Sequence, residues 1–247
     1  MDSFIKWIGG KKRLRKEILS RFPEQYERYI EVFGGAGWVL FGIEPPCHFE
    51  VFNDLNGDLI NLYRCVKYHS QELQRELNFS IQSRELFFDA VNQMNTRGYT
   101  DIQRAARYFL IIKESFGADL SSFGTRPTNF LSAVDYLTDM AERLKSTVIE
   151  NQDFEKILKT YDRKESLFYL DPPYVETEKY YAAEFTKADH IRLKNALQKV
   201  KGKFILSYND CKFIRELYAE YRIEGISRKN HLNGQKSEFQ ELIIRNY

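Results

Sequence analysis

The stretch Leu167-Phe168-Tyr169-Leu170-Asp171-Pro172-Pro173-Tyr174 begins with four apolar residues, two of them aromatic, and breaks off at an acid and two prolines. A short apolar run bounded by turn formers predicts a buried strand. The prolines end it, because neither can donate to a sheet ladder. Asp171 is therefore expected at the carboxyl end of a core strand, where open α/β sheets bind their ligands.

Toward the N-terminus a second such unit stands. Tyr29-Ile30-Glu31-Val32-Phe33 reads as a strand, Gly34-Gly35-Ala36-Gly37 as a turn, and Trp38-Val39-Leu40-Phe41 as the start of a helix. Strand, glycine turn and helix open a nucleotide-binding α/β fold. Glycines let the backbone approach a ligand closely. The spacing is not Gly-x-Gly-x-x-Gly, which weakens the case for a dinucleotide pyrophosphate. A further strand, Phe49-Glu50-Val51-Phe52, is followed by Asp54. An acid roughly 20 residues after the first glycine suits ribose hydroxyls.

The residues of the central stretch suggest a chemistry. An exocyclic amine on a nucleobase is a poor nucleophile, because its lone pair is conjugated into the ring. Two acceptors aimed at its N–H bonds would draw it toward a tetrahedral nitrogen. The Asp171 carboxylate can be one and the Pro172 carbonyl, held rigid with Pro173, the other. A charged hydrogen bond contributes roughly 1.5–3 kcal/mol. Tyr174 offers a face to an unstacked base, worth about 1–3 kcal/mol.

Asp-Pro-Pro-Tyr resembles the catalytic motif of S-adenosylmethionine-dependent amino-methyltransferases. With the glycine loop ahead of it, nearly the whole chain looks like a Dam-type N6-adenine DNA methyltransferase, most weakly from about 65 to 146. The resemblance implies a Rossmann-like α/β sheet and methyl transfer to a flipped adenine in double-stranded DNA. It implies catalysis by Asp171, Pro172, Pro173 and Tyr174. It places S-adenosylmethionine against Trp7, Lys11, Phe33, Gly34, Gly35, Ala36, Gly37, Asp54, Asp153 and Asp171. Asp153, after the predicted strand at 148–152, would approach the cofactor's adenine amine. Phe185 is expected to wall the base pocket.

From Leu59 to about Leu144 the pattern turns helical. Ser83 is expected to open one helix that Gly98 ends, and Asp101 to cap the next. This suggests residues 1–60 and 147–247 as the catalytic domain and 61–146 as a helical target-recognition insertion. The polar, glycine-rich stretch 115–129 suits a loop or hairpin reading base edges, with Ser115, Ser122, Arg126 and Asn129 as DNA contacts. An Asn-Gly commonly follows the aromatic here in the family, whereas this chain has Phe116-Gly117-Ala118. Near the end, Ser227-Arg228-Lys229-Asn230-His231 reads as a basic loop whose Arg228 and Lys229 could clamp phosphates. Five basic residues at 11–16 crowd a predicted helix start, where the macrodipole disfavours cations. An anionic partner would account for them.

Composition sets the outer bounds. The 247 residues are 43% hydrophobic, enough for one large core or a core with an insertion. A net charge of +2 leaves any nucleic-acid surface to local basic patches. Three cysteines without a Cys-x-x-Cys suit a reducing cytoplasm, at the nucleoid or, for a phage-encoded enzyme, in a host cell. Cys47 follows a proline but lies outside the position of a catalytic Pro-Cys pair. Four scattered histidines argue against zinc. No apolar run reaches the roughly 20 residues of a membrane span. The rival readings are methylation of RNA or of cytosine N4, an inactive DNA-binding homologue, and a nicotinamide-dependent oxidoreductase.

Overall fold

The computed structural model describes residues 1–125, 129–175, 185–230 and 237–247, with 227–230 and 237–239 described by backbone alone. Its strands are β1 (Arg28–Glu31), β2 (Phe49–Asn53), β3 (Thr147–Glu150), β4 (Ser166–Leu170), β5 (Lys203–Asn209), β6 (Arg222–Asn230) and β7 (Ser237–Arg245). They form one sheet in the order β3-β2-β1-β4-β5-β7-β6. β3, β2, β1, β4 and β5 run parallel, while β7 runs antiparallel between β5 and β6. The chain steps outward from β1 to β2 and β3, then returns to β4 on the other side of β1. The crevice between β1 and β4 is thus the switch point where such sheets take ligands.

Alternation along the strands makes three layers. Tyr29, Phe52, Leu167, Tyr169, Ile205 and Ile243 join one apolar cluster. Ile30, Val51, Phe168, Phe204, Leu206 and Leu242 join the other. The first face carries α2 (Gly57–Tyr68), α3 (Ser70–Asn78), α4 (Arg84–Gln93), α5 (Asp101–Glu114), α6 (Phe130–Asp135) and α7 (Leu137–Leu144), after a short α1 (Arg15–Leu19). The second carries α8 (Phe154–Tyr161), α9 (Lys187–Leu197) and α10 (Lys212–Leu217). Helices α2–α7 share their core with the sheet: Phe4 stacks on Phe109 of α5 and meets Tyr63 of α2 edge-on. At the far end, Arg143 forks onto buried Glu50 of β2 at 2.6 and 2.9 Å. Among the described residues no helix is long and apolar enough to cross a membrane.

Four local expectations are corrected. The helix expected from Trp38 is only a 3-10 turn, Leu40–Gly42. The Leu40 N–H is taken by the Glu31 carboxylate at 2.8 Å, and Gly37 sits at φ +65°. Thr100, not Asp101, caps α5, through a reciprocal capping box with Gln103. Helix α4 ends at Gln93, ahead of Gly98. Finally, 227–230 is strand rather than loop, with Arg228 opposite Phe239 and Lys229 opposite Glu238. Charged residues along this edge strand hid it from an alternation test and suit an edge, where charge discourages further pairing. His231 lies outside the described residues.

Candidate active site

The glycine loop leaves β1 and Asp171 leaves β4 side by side, and together they wall a cavity of about 450 Å³. Gly34 and Gly35 are required there. A Cβ on Gly34 would lie 2.3 Å from the Phe52 ring, and one on Gly35 2.8 Å from Trp7. Gly35 also sits at φ +50°. Asp54 fastens the loop to the end of β2. One carboxylate oxygen accepts from the Gly35 N–H at 2.9 Å and the other from the Asn56 N–H at 2.8 Å. Burial raises its pKa against these bonds.

Lys11 lies at the centre of the site. It is only 5% exposed. Its ammonium is 2.8 Å from Asp171 Oδ2 and donates to the Gly9 carbonyl at 3.0 Å. It also lies 4.6 Å from the centre of the Tyr174 ring. Ser207 of β5 donates to Asp171 Oδ1 at 2.7 Å. The anionic partners expected for the N-terminal basic run are thus carboxylates of the chain itself: Asp171 for Lys11, and Asp2 for Lys12 and Arg15 at 2.9 and 3.1 Å. The turn 11–14 precedes a helix of only five residues.

Of the other expected cofactor residues, Trp7, Phe33 and Ala36 line the cavity, as do Pro173 and Phe185. Gly37 packs behind it against Phe41 and Tyr63. Asp153 is not on the wall; its carboxylate caps α8 and pairs with Arg192 at 2.6 Å. Tyr174 is also behind the wall, 8% exposed, with its hydroxyl donating to Glu241 at 2.9 Å. Burial, then the charges of Asp171 and Glu241, hold its phenol pKa well above the ordinary value. Cys47 donates to the Glu27 carbonyl at 3.0 Å and burial pushes its thiol up, which suits no nucleophile.

Sequence reasoning missed Glu31, Ser207 and Glu241. Glu31 ends β1 on the cavity wall, accepts from the Tyr29 hydroxyl at 2.7 Å, and is pushed up to about 8 by burial. Its signal was an acid inside an apolar strand just ahead of the glycine loop. Among the described residues, the cavity lining holds four aspartates (Asp54, Asp58, Asp119, Asp171), Glu31, which its raised pKa keeps largely neutral near pH 7, and Lys11. Such a lining favours a cationic ligand and disfavours a pyrophosphate. Among the described residues no group of three His, Cys, Asp or Glu could hold a metal ion.

The stretch after α5 closes on itself at the cavity rim. Phe116 N–H donates to the Ser122 carbonyl at 2.7 Å and Gly124 N–H to the Glu114 carbonyl at 2.6 Å. Ala118 and Leu120, on the cavity wall with Asp119, hold φ +63° and +60°. Such strain in side-chain-bearing residues collects at functional sites. Ser115 is buried, its hydroxyl on the Ile112 carbonyl, and the Asn129 side chain caps α6. Both expected base contacts are therefore engaged in the fold's own hydrogen bonds. Ser122 is exposed, and Arg126 lies outside the described residues.

Glu114 at the foot of this loop is 2% exposed, and among the described residues neither carboxylate oxygen has a hydrogen-bond partner. Burial raises it to about 7. A carboxyl raised on folding gives stability that is complete below its unfolded pKa near 4.5 and lost as pH climbs through about 7. We expect the melting temperature of Glu114→Gln to lose part of the fall that the parent shows between pH 5 and 8, worth roughly 1–3 kcal/mol. Parallel slopes for the two proteins in thermal melts would refute this.

The chain is similar to known proteins along its length. Residues 7–232 match the family model described as D12 class N6 adenine-specific DNA methyltransferase. The type II methyltransferase M.CviBI of Paramecium bursaria Chlorella virus NC1A is 27% identical, with 100% of each chain covered. The type II methyltransferase M1.LlaDCHI of Lactococcus lactis subsp. cremoris is 29% identical over 99% of this chain and 95% of its own. The DNA adenine methylase of Haemophilus influenzae is 29% identical over 97% of this chain and 92% of its own.

Proposed function

The chain belongs to the D12 class of N6 adenine-specific DNA methyltransferases, and from that premise we propose how its residues divide the work on a flipped adenine of double-stranded DNA. The observation that carries the proposal is Asp171 at the end of β4, beside the glycine loop of β1, on the wall of one acid-lined cavity. The cofactor is S-adenosylmethionine, which when bound supplies a methyl group on a positively charged sulfur. The residues present fit it: the lining is acidic, Lys11 is a cation for a carboxylate, and Gly34 and Gly35 bring bare backbone to the wall.

Asp171 accepts from one N–H of the adenine amine and the Pro172 carbonyl from the other, with Pro173 fixing the peptide. A carboxylate has lone pairs left after the Lys11 and Ser207 contacts. Tyr174 supplies the stacking face, while Phe33 and Phe185, in edge contact at 5.9 Å, form an apolar wall. The base must leave the helix, because an amine inside the stack cannot meet the sulfonium. Phe116 is 73% exposed two residues before the strained rim, a place suited to an apolar wedge in the gap a flipped base leaves. Target recognition belongs to the α2–α7 segment and the stretch 115–129. Arg228 and Lys229 serve as phosphate contacts. The enzyme works where cellular DNA lies, in the cytoplasm.

Sequencing that detects modified bases in DNA from cells producing this chain tests the reading. N6-methyladenine at one short motif is expected. N4-methylcytosine, or an unmodified genome alongside a protein that binds S-adenosylmethionine, would replace it with one of the rival readings.

Asp54 offers a second test. Asp54→Ala removes its tie to the glycine loop at the Gly35 N–H and its turn bond to the Asn56 N–H, along with the expected ribose acceptor. Calorimetry with S-adenosylmethionine should show binding weakened by roughly 1.5–3 kcal/mol, the scale of a charged hydrogen bond. Unchanged affinity would move the ribose site elsewhere.

A further inference from the structure

Strand β7, between β5 and the edge strand β6, places an acid inside the sheet. Glu241 is 3% exposed and lies between Asn209 of β5 and Ile226 of β6. A buried carboxylate needs partners, and two of those it has belong to the site. The Tyr174 hydroxyl donates to Glu241 Oε2 at 2.9 Å, and the Lys11 ammonium lies 3.9 Å from the same oxygen. That ammonium is also 2.8 Å from Asp171 and 4.6 Å from the centre of the Tyr174 ring. One cation therefore sits among the first residue of Asp-Pro-Pro-Tyr, its last, and an acid 67 positions further along the chain.

The rung that pairs Asn209 with Glu241 holds the motif's exit twice. Asn209 Nδ2 donates to the Val175 carbonyl at 3.2 Å, while Glu241 takes the preceding side chain by its hydroxyl. Backbone and ring are thus tied to one rung between two interior strands, β5 and β7. In the second bond the Tyr174 hydroxyl donates, and burial holds its phenol pKa well above the ordinary value.

We propose that Glu241 is a positioning residue for methyl transfer: it sets the plane of the Tyr174 ring and shares Lys11 with Asp171, so that stacking face and amine acceptor keep one mutual geometry. The proposal rests on the proposed roles of Asp171 and Tyr174. A glutamine at 241 would still accept from Tyr174 but would offer Lys11 no charge. An alanine would offer neither.

The test compares Glu241→Gln, Glu241→Ala, Glu241→Met, Tyr174→Phe and the Tyr174→Phe/Glu241→Ala double variant. Steady-state rates are read on duplex DNA, together with the fluorescence of 2-aminopurine at the target adenine position. Glu241→Ala should lower kcat by about tenfold or more, with KM for S-adenosylmethionine within about threefold of the parent. Its 2-aminopurine intensity should differ from the parent's, and Glu241→Gln should recover most of both. The double variant should be no slower than Glu241→Ala alone, because the alanine already removes the acceptor of the bond that Tyr174→Phe breaks. Parent-like kcat and fluorescence in Glu241→Ala would overturn the proposal. If Glu241→Ala does not fold, Glu241→Met, which fills the space but offers neither acceptor nor charge, takes its place, and parent-like kcat and fluorescence in it would do the same. Asp171→Ala is the control. An active Asp171→Ala protein removes the reading of the whole site, whereas an inactive one beside a parent-like Glu241→Ala removes only the part assigned to Glu241.

Discussion

Asp171→Ala should lose methyl transfer by on the order of 10²–10⁴-fold, the range seen when one positioned catalytic group is removed. The carboxylate is held from two sides, by Lys11 at 2.8 Å and Ser207 at 2.7 Å, and stands at the end of a strand whose five residues are all buried. An acceptor so fixed costs little reorganisation when the amine arrives. Alanine has a second consequence, because Lys11 is left in the interior without its nearest counter-charge. Breaking one side of a buried pair costs about 3–5 kcal/mol in other proteins, reduced here by the Gly9 carbonyl and by Glu241 at 3.9 Å. A lower melting temperature could then be mistaken for the cause of lost activity. Lys11→Met in the Asp171→Ala background removes the stranded charge and should recover much of the melting temperature while activity stays lost. Single-turnover rates and thermal melts on the two variants make the comparison. Turnover by Asp171→Ala at the parent's rate would rule out Asp171 as the amine acceptor.

The same network shows which features could be read along the chain and which could not. β4, β1 and β2 were legible because apolar and aromatic residues fill short runs closed by turn formers. The positions of Asp171, the glycine loop and Asp54 were legible because each follows such a run, whereas Trp7 and Lys11 came only through the resemblance to the family. Whom Lys11 would meet was not legible. Its partner lies 160 positions away and depends on β4 settling beside β1. The meaning of Glu241 was not legible either, since it depends on β7 entering between β5 and β6. The missing helix after the glycine loop has the same origin: Glu31 takes the Leu40 N–H through a contact that no helical periodicity encodes. Local pattern carried the elements and the motif. Sheet order, which is not local, decided which charges meet.

Tyr174→Ala should be the second damaging change, and Tyr174→Phe a mild one. The ring is 8% exposed, lies 6.0 Å from Tyr208, and carries the Lys11 ammonium at 4.6 Å. Phenylalanine keeps the face on which a base would stack and loses the bond to Glu241, a net contribution of roughly 0.5–1.5 kcal/mol for an ordinary hydrogen bond and more where the acceptor is charged. Alanine loses the face as well, worth about 1–3 kcal/mol per base, or roughly 5- to 150-fold in rate. It also leaves a cavity, and emptying a buried aromatic site costs about 3–5 kcal/mol of stability. Two measurements separate the losses. The melting temperature reports the cavity. The ratio of kcat/KM between the alanine and phenylalanine variants, each measured well below its melting temperature, reports the stacking face. If that ratio is near one, the base does not stack on Tyr174. The residue would then serve only to hold Lys11 and Glu241 in place, and the wall formed by Phe33 and Phe185 would be the surface that receives the base.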